Sequence, residues 1–280
     1  MSAALSTEAG RILLATLAVS ASIAFILGVA LGFFQQKFAI SVDPRIQQVR
    51  DILPGANCGA CGWAGCDAYA AALANLKTPT DRCTVGGKKT GDRIATLLGL
   101  NSTAVDQIAV LVCQGTTEKA PPKGIYAGIP SCRAAKVIAS GTKLCQWSCI
   151  GLGDCTLVCP FDALHMGADG LPHVDIAKCT GCGKCVEACP QNVLVRIPRG
   201  KKGAMPLCSN RNPVKSKVLA TCKIGCIKCE ICVKSCPVGA IRMERGLPVV
   251  DAVVCTSCGI CVEKCPTKVF KLVERDIVGT

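Results

Sequence analysis

Cysteine is the residue whose number and spacing carry chemistry here: it fills 24 of 280 positions. Three runs share the form C-x2-C-x2-C-x3-C-P: Cys179, Cys182, Cys185, Cys189; Cys226, Cys229, Cys232, Cys236; and Cys255, Cys258, Cys261, Cys265. Three closely spaced thiolates suit three irons of a four-iron, four-sulfide cubane, and the last Cys, followed by Pro, reaches a second cubane. Zinc knuckles pair two C-x2-C motifs and leave the third Cys and the Cys-Pro without a role.

This cross-over rule assigns ligands. Cys226, Cys229 and Cys232 go with Cys265; Cys255, Cys258 and Cys261 with Cys236; Cys179, Cys182 and Cys185 with Cys159. A fourth set is irregular: Cys149, Cys155 and Cys189 match, but Leu152 stands where the aligned run has Cys229. Cys145, one helical turn before Cys149, is the nearest candidate for the missing ligand. A fifth set, Cys58, Cys61, Cys66 and Cys83, begins in a glycine-rich loop that can aim backbone N–H groups at sulfur. Cys113, Cys132, Cys208 and Cys222 remain, either as inert buried thiols or as ligands of a sixth [4Fe-4S] cluster. The expectation is five clusters, with a sixth open.

The elements around these runs repeat. Residues 145–160 align without a gap on 222–237, and each segment is followed some twenty residues later by a second run. Each Cys-Pro leads into a short alternating segment, and Asp169-Gly170 and Arg245-Gly246 read as turns. Short strands beside short helices make small α+β units, too small to be stable on apolar burial alone, so bound clusters supply folding energy. Ahead of them, Asp43-Pro44 opens a helix with Ile46, Val49, Ile52 and Leu53 on one face, and Pro54-Gly55 stops it. Gln107–Val112 reads as a buried strand, and Ser131 as the N-cap of a short helix ended by Gly141. The expected organisation is an anchor at 1–37, a single-cluster module at 38–90 and a connector at 91–144. A first unit at 145–200, a basic linker at 201–221 and a second unit at 222–280 follow.

Residues 12–34 carry no charge and are long enough to cross a ~30 Å hydrocarbon core. The run is long for a signal peptide, no A-x-A site follows, and the residues before it are not basic, so an uncleaved anchor is expected. Lys37, Arg45 and Arg50 then place the rest of the chain in the cytoplasm by the positive-inside rule. A reducing compartment disfavours disulfides and favours thiolate-bound metal. The formal net charge of +13 counts every Cys as neutral, and thiolate-ligated clusters would offset most of it. Residues 188–229 still hold nine Lys or Arg and no acid, which is either a solvated loop or a docking surface for an acidic protein. That stretch has no aromatic residue on which bases could stack, which sets aside a nucleic-acid partner. His165 and His173 read as surface residues, and Trp63 and Trp147, set among cluster cysteines, as shields against water.

The N-C-G-A-C-G-x-A-G-C module, followed by C-I-G-L-G-D-C and C-T-G-C-G-K-C runs behind one anchor, resembles the RnfB family of Rnf complex components over essentially the whole chain. That resemblance implies one transmembrane helix, a small helical Fe-S module and two tandem bacterial dicluster ferredoxin-like units. It further implies a relay that accepts electrons from reduced ferredoxin and passes them to membrane partners, with Na⁺ or H⁺ translocation coupled to electron transfer between ferredoxin and NAD⁺. Shorter members stop after one ferredoxin unit; the segment 222–273 departs from them. The alternatives are an iron–sulfur subunit of a hydrogenase or formate dehydrogenase type, and a zinc scaffold.

Overall fold

The computed structural model describes residues 2–38, 43–102 and 105–277 and divides into two compact units, Met1–Gln47 and Gln48–Thr280. In the first, helix α1 spans Ser2–Phe38, and its stretch Leu14–Phe38 has a mean hydropathy of 2.3. Its leucines, valines and phenylalanines from Leu14 onward are exposed, so among the described residues no other part of this chain covers them. That 25-residue apolar stretch reaches about 38 Å, enough to cross a bilayer core.

Asp43 and Pro44 start α2 (Pro44–Ile52) as the sequence predicts, with the Asp43 carboxylate accepting from Arg45 N–H at 2.9 Å. Val49 and Leu53 are buried, and the Arg50 guanidinium pairs with Asp67 at 2.6 Å, tying α2 to α3 (Cys66–Ala74). Buried Tyr69 of α3 donates its hydroxyl hydrogen to Pro79 O. Helix α4 (Gly87–Leu98) follows and stops at Gly99, which is left-handed.

The remaining elements run β1 (Gln107–Leu111), α5 (Cys132–Ala139), α6 (Asp154–Leu157), β2 (Leu164–Met166), β3 (Pro172–Val174), α7 (Lys184–Ala188) and β4 (Leu194–Pro198). Then come β5 (Ala204–Pro206), α8 (Lys215–Thr221), α9 (Ile231–Lys234), β6 (Ile241–Glu244), β7 (Leu247–Val250), α10 (Ile260–Lys264) and β8 (Phe270–Leu272). All pairings are antiparallel hairpins or two-stranded sheets: β1 with β4, β2 with β3, β5 with β8, and β6 with β7. The strand expected in the connector, β1, therefore closes the first ferredoxin-like unit. Within the stretch expected to be a basic linker, β5 closes the second in the same way. Local composition hides this, because a three-residue strand such as β5 is defined by its partner β8 and not by its own periodicity.

Each short helix of the two units starts after a residue in left-handed conformation: Gly153, Gly183, Glu230 and Gly259, with φ of 83°, 86°, 59° and 79°. Glycine accepts that conformation without a Cβ clash, whereas an L-residue is destabilised there by roughly 1–2 kcal/mol. Glu230→Gly is therefore expected to stabilise the second unit by about 0.5–1 kcal/mol after the larger entropy loss of glycine on folding. The readout is the temperature at which the visible cluster absorbance is lost, which should rise.

Candidate functional site

Four cavities in the second structural unit are each lined by four cysteines. Cys58, Cys61, Cys66 and Cys83 surround one of about 330 Å³, at the N-terminus of α3. Cys226, Cys229, Cys232 and Cys265 line another of about 330 Å³, and Cys236, Cys255, Cys258 and Cys261 one of about 320 Å³. In both, the cysteine preceding a proline lies across from the run it does not belong to. After three of the four Cys-Pro pairs the chain turns so that the N–H four residues beyond the cysteine donates to that sulfur: Ala163 to Cys159, Ala240 to Cys236 and Val269 to Cys265, at 3.3–3.4 Å. N–H···S bonds of this kind stabilise thiolate charge.

The fourth cavity, about 360 Å³, holds Cys149, Cys155 and Cys189 as the spacing predicts, but its fourth cysteine is Cys132. The expected candidate, Cys145, lies elsewhere. It packs with Cys222 around Ala120, and both thiols are raised by burial, with nearby Cys113 and Cys208 adding to the shift. Cys132 and Cys145 thus exchange places relative to the sequence reading. The physical reason is helix α5: its first residue is Cys132, and it is held against the first ferredoxin-like unit by Asp154. The Asp154 carboxylate accepts from Ser131 Oγ (3.0 Å), Cys132 N (2.9 Å) and Arg133 N (3.2 Å). Ser131 occupies the N-cap position but its hydroxyl does not cap; a carboxylate over twenty residues away does so instead. At its other end α5 stops at Ser140, left-handed, just before the expected Gly141.

The last set is Cys159, Cys179, Cys182 and Cys185. Burial pushes the Cys185 thiol up to about 12, with Cys182, Cys179 and Cys159 among the neighbours that add to it, and Cys182 is raised in the same way. Cys179 accepts from Ala109 N–H of β1 at 3.4 Å. Burial likewise raises Cys149 to about 12 and Cys155, Cys222, Cys232 and Cys261 to about 11. Thiols raised this far are neutral at physiological pH, and metal binding displaces their protons. A single zinc would need its sulfurs ~3.8 Å apart from Zn–S bonds of ~2.3 Å. Among the described residues no group of three or more Cys, His, Asp or Glu side chains is arranged to hold one such ion. Four cysteines spread around one cavity suit a four-iron cubane, which takes one thiolate at each iron corner.

Family models agree with the geometry. An Fe-S cluster family matches residues 53–85, a 4Fe-4S dicluster domain residues 225–270, and 4Fe-4S binding domains residues 172–195 and 149–163. The B component of the ion-translocating oxidoreductase complex of Methanosarcina acetivorans is 40% identical over 86% of this chain and 90% of its own. The chain belongs to the RnfB family. The B component of the proton-translocating ferredoxin:NAD⁺ oxidoreductase complex of Clostridium ljungdahlii is 38% identical over 84% of this chain and 83% of its own. The Na⁺-translocating counterpart of Acetobacterium woodii is 44% identical over 63% of this chain, and the match spans about half (54%) of that relative. As a member of this family the chain is an iron–sulfur protein with several [4Fe-4S] clusters, in a fold of one apolar N-terminal helix and ferredoxin-type units.

Both histidines of this RnfB family member are exposed, and His165 and His173 contact Asp162 O and Asp169 at 3.1 Å. Trp147 packs against the Cys145 and Cys222 pair. Lys184, within the 179–189 run, donates to Cys58 O at 2.9 Å and ties the single-cluster module to the first ferredoxin-like unit. Sequence reasoning missed Asp154, whose only local signal is its place before Cys155. Asp154→Ala removes the cap of α5 and is expected to cost about 1 kcal/mol, with Asp154→Asn retaining most of it. Under an iron chelator, the alanine variant should lose one cluster's absorbance faster than the rest.

Proposed function

We propose that this chain relays electrons from reduced ferredoxin to the membrane partners of an ion-translocating ferredoxin:NAD⁺ oxidoreductase. In this reading it uses six [4Fe-4S] sites: the five cysteine sets above and a junction set of Cys113, Cys145, Cys208 and Cys222. When bound, each cluster supplies a one-electron carrier whose potential follows from ligands, N–H···S bonds and burial. The observation that carries the reading is the hydrogen bonding at the junction. Cys149 N–H of the first ferredoxin-like unit donates to Cys113 Sγ at 3.4 Å, and Cys226 N–H of the second donates to Cys208 Sγ at 3.3 Å. Cys113 follows β1 and Cys208 follows β5, the strands that close the two units, so the junction set belongs equally to both. Asn210, buried between them, turns its Nδ2 towards Cys145 Sγ at 3.5 Å.

The ferredoxin site in this reading is the basic stretch. Arg199 and Lys228 are committed internally, to the Ile176, Cys179, Asn210 and Cys226 carbonyls. Lys202, Arg211, Lys215, Lys217 and Lys223 are exposed in the same stretch as the exposed Cys229 and can steer an acidic partner. Helix α1 holds the chain at the membrane, with the cluster-bearing part on the cytoplasmic side by its Lys37, Arg45 and Arg50 flank.

Pairs of serine substitutions test the ligand sets in anaerobic preparations. Cys132→Ser combined with Cys155→Ser should lose no more iron than either alone, because both break one site. Cys145→Ser combined with Cys155→Ser should lose roughly eight irons, two cubanes. The opposite pattern would restore Cys145 to the first ferredoxin-like unit. For docking, neutralising Lys201, Lys202, Lys215 and Lys217 together should slow reduction by ferredoxin and flatten its dependence on salt, read by stopped-flow absorbance at several ionic strengths. An unchanged rate and salt response would place the docking surface elsewhere.

A further inference from the structure

Lys143 is a buried cation that the relay as described does not use. It is 3% exposed, its backbone forms a bridge with Pro122, and its ammonium donates to Gly115 O at 2.7 Å and reaches Gly170 O at 3.5 Å. Among the described residues its side chain has no carboxylate in ion-pair range. A buried ammonium without a counter-charge is strongly disfavoured, so a negative group must face it. The sulfurs joined to it through hydrogen bonds are those of Cys113, by way of Gly115, and of Cys149, whose own N–H donates to Cys113 Sγ. These two cysteines belong to different cluster sites, and they meet through the Cys149 N–H···Sγ Cys113 bond. Gly115 completes the arrangement: its N–H donates to Cys113 Sγ at 3.4 Å while its carbonyl takes the Lys143 ammonium.

We infer that Lys143 is a positioning residue that acts through Cys113 and Cys149, its fixed charge being the shared counter-ion of the junction site and the first-unit site. The inference rests on the six-site reading above. One electron arriving at either site adds one negative charge, with no bond made or broken and no proton lost from Lys143. Its ammonium favours that electron at the seam through which current must pass between the two ferredoxin-like units. In a low-dielectric interior a buried charge acts far more strongly than an exposed one. The seam to the second unit has a lysine of its own, Lys228, bonded to Asn210 O and Cys226 O, but it is only partly buried and so more screened.

The experiment uses the full chain, purified without oxygen, as wild type, Lys143→Met, Lys143→Gln and Lys143→Arg. Iron content is measured first, then the cluster midpoints by EPR during a dithionite titration with mediators. With iron retained, both neutral variants should move at least one midpoint to more negative potential by a tenfold or larger loss in reduction equilibrium. For a one-electron couple that is a shift of about 59 mV. Lys143→Arg should stay near wild type. Unmoved midpoints in the neutral variants at full iron, or an arginine variant shifted as far as they are, would overturn the assignment. Should the neutral variants shed iron while arginine keeps it, the counter-ion role stands; iron loss in all three makes Lys143 a packing residue and refutes it. A wild type with fewer than six clusters' iron would refute the six-site reading instead, before any lysine variant is compared.

Discussion

Convergence of four thiols from separate stretches of chain onto one cavity is the constraint from which the rest of this structure follows. The chain has 10 aromatic residues in 280, and much of its buried apolar surface is cysteine itself. Burial raises several of those thiols, Cys149 and Cys185 to about 12, so packing alone leaves their cavities poorly satisfied. Thiolate–iron bonds then replace what an ordinary core would supply. Each cysteine that precedes a proline crosses to the other half of its ferredoxin-like unit, and this makes the two halves mutually dependent: Cys265 closes the site of 226–232 and Cys236 that of 255–261.

The same constraint explains why short strands outside the repeat matter. β1 and β5 lie outside the repeat, yet each pairs with the last strand of a ferredoxin-like unit and carries a cysteine just beyond its end. Backbone N–H groups of Cys149 and Cys226 then point at those sulfurs. What reads along the chain as a connector and a linker becomes, in three dimensions, the seam between two ferredoxin-like units. Lysines follow a similar division. Those at 202, 215 and 217 face solvent, where salt screens them, whereas Lys143 and Lys184 are drawn inward to backbone carbonyls beside cluster cysteines.

The sequence alone was enough for the cluster chemistry, the family resemblance, the apolar anchor and the internal repeat. All of these are written in short-range spacing: three cysteines two residues apart, a proline after the fourth, an uncharged run of more than twenty residues. Capping by Asp43 and Pro44, the strand at Gln107–Leu111 and the helix after Ser131 were legible for the same reason. The fourth neighbour of Cys149, Cys155 and Cys189 was not. Proximity along the chain favoured Cys145, but Cys132 arrives there on a helix capped by Asp154, a contact spanning more than twenty residues. That Cys145 lies beside Cys222 and Cys132 does not, the role of β5 and the burial of Lys143 were equally invisible. Each depends on which surfaces meet after folding, and residues far apart in sequence carry no local pattern that records their meeting.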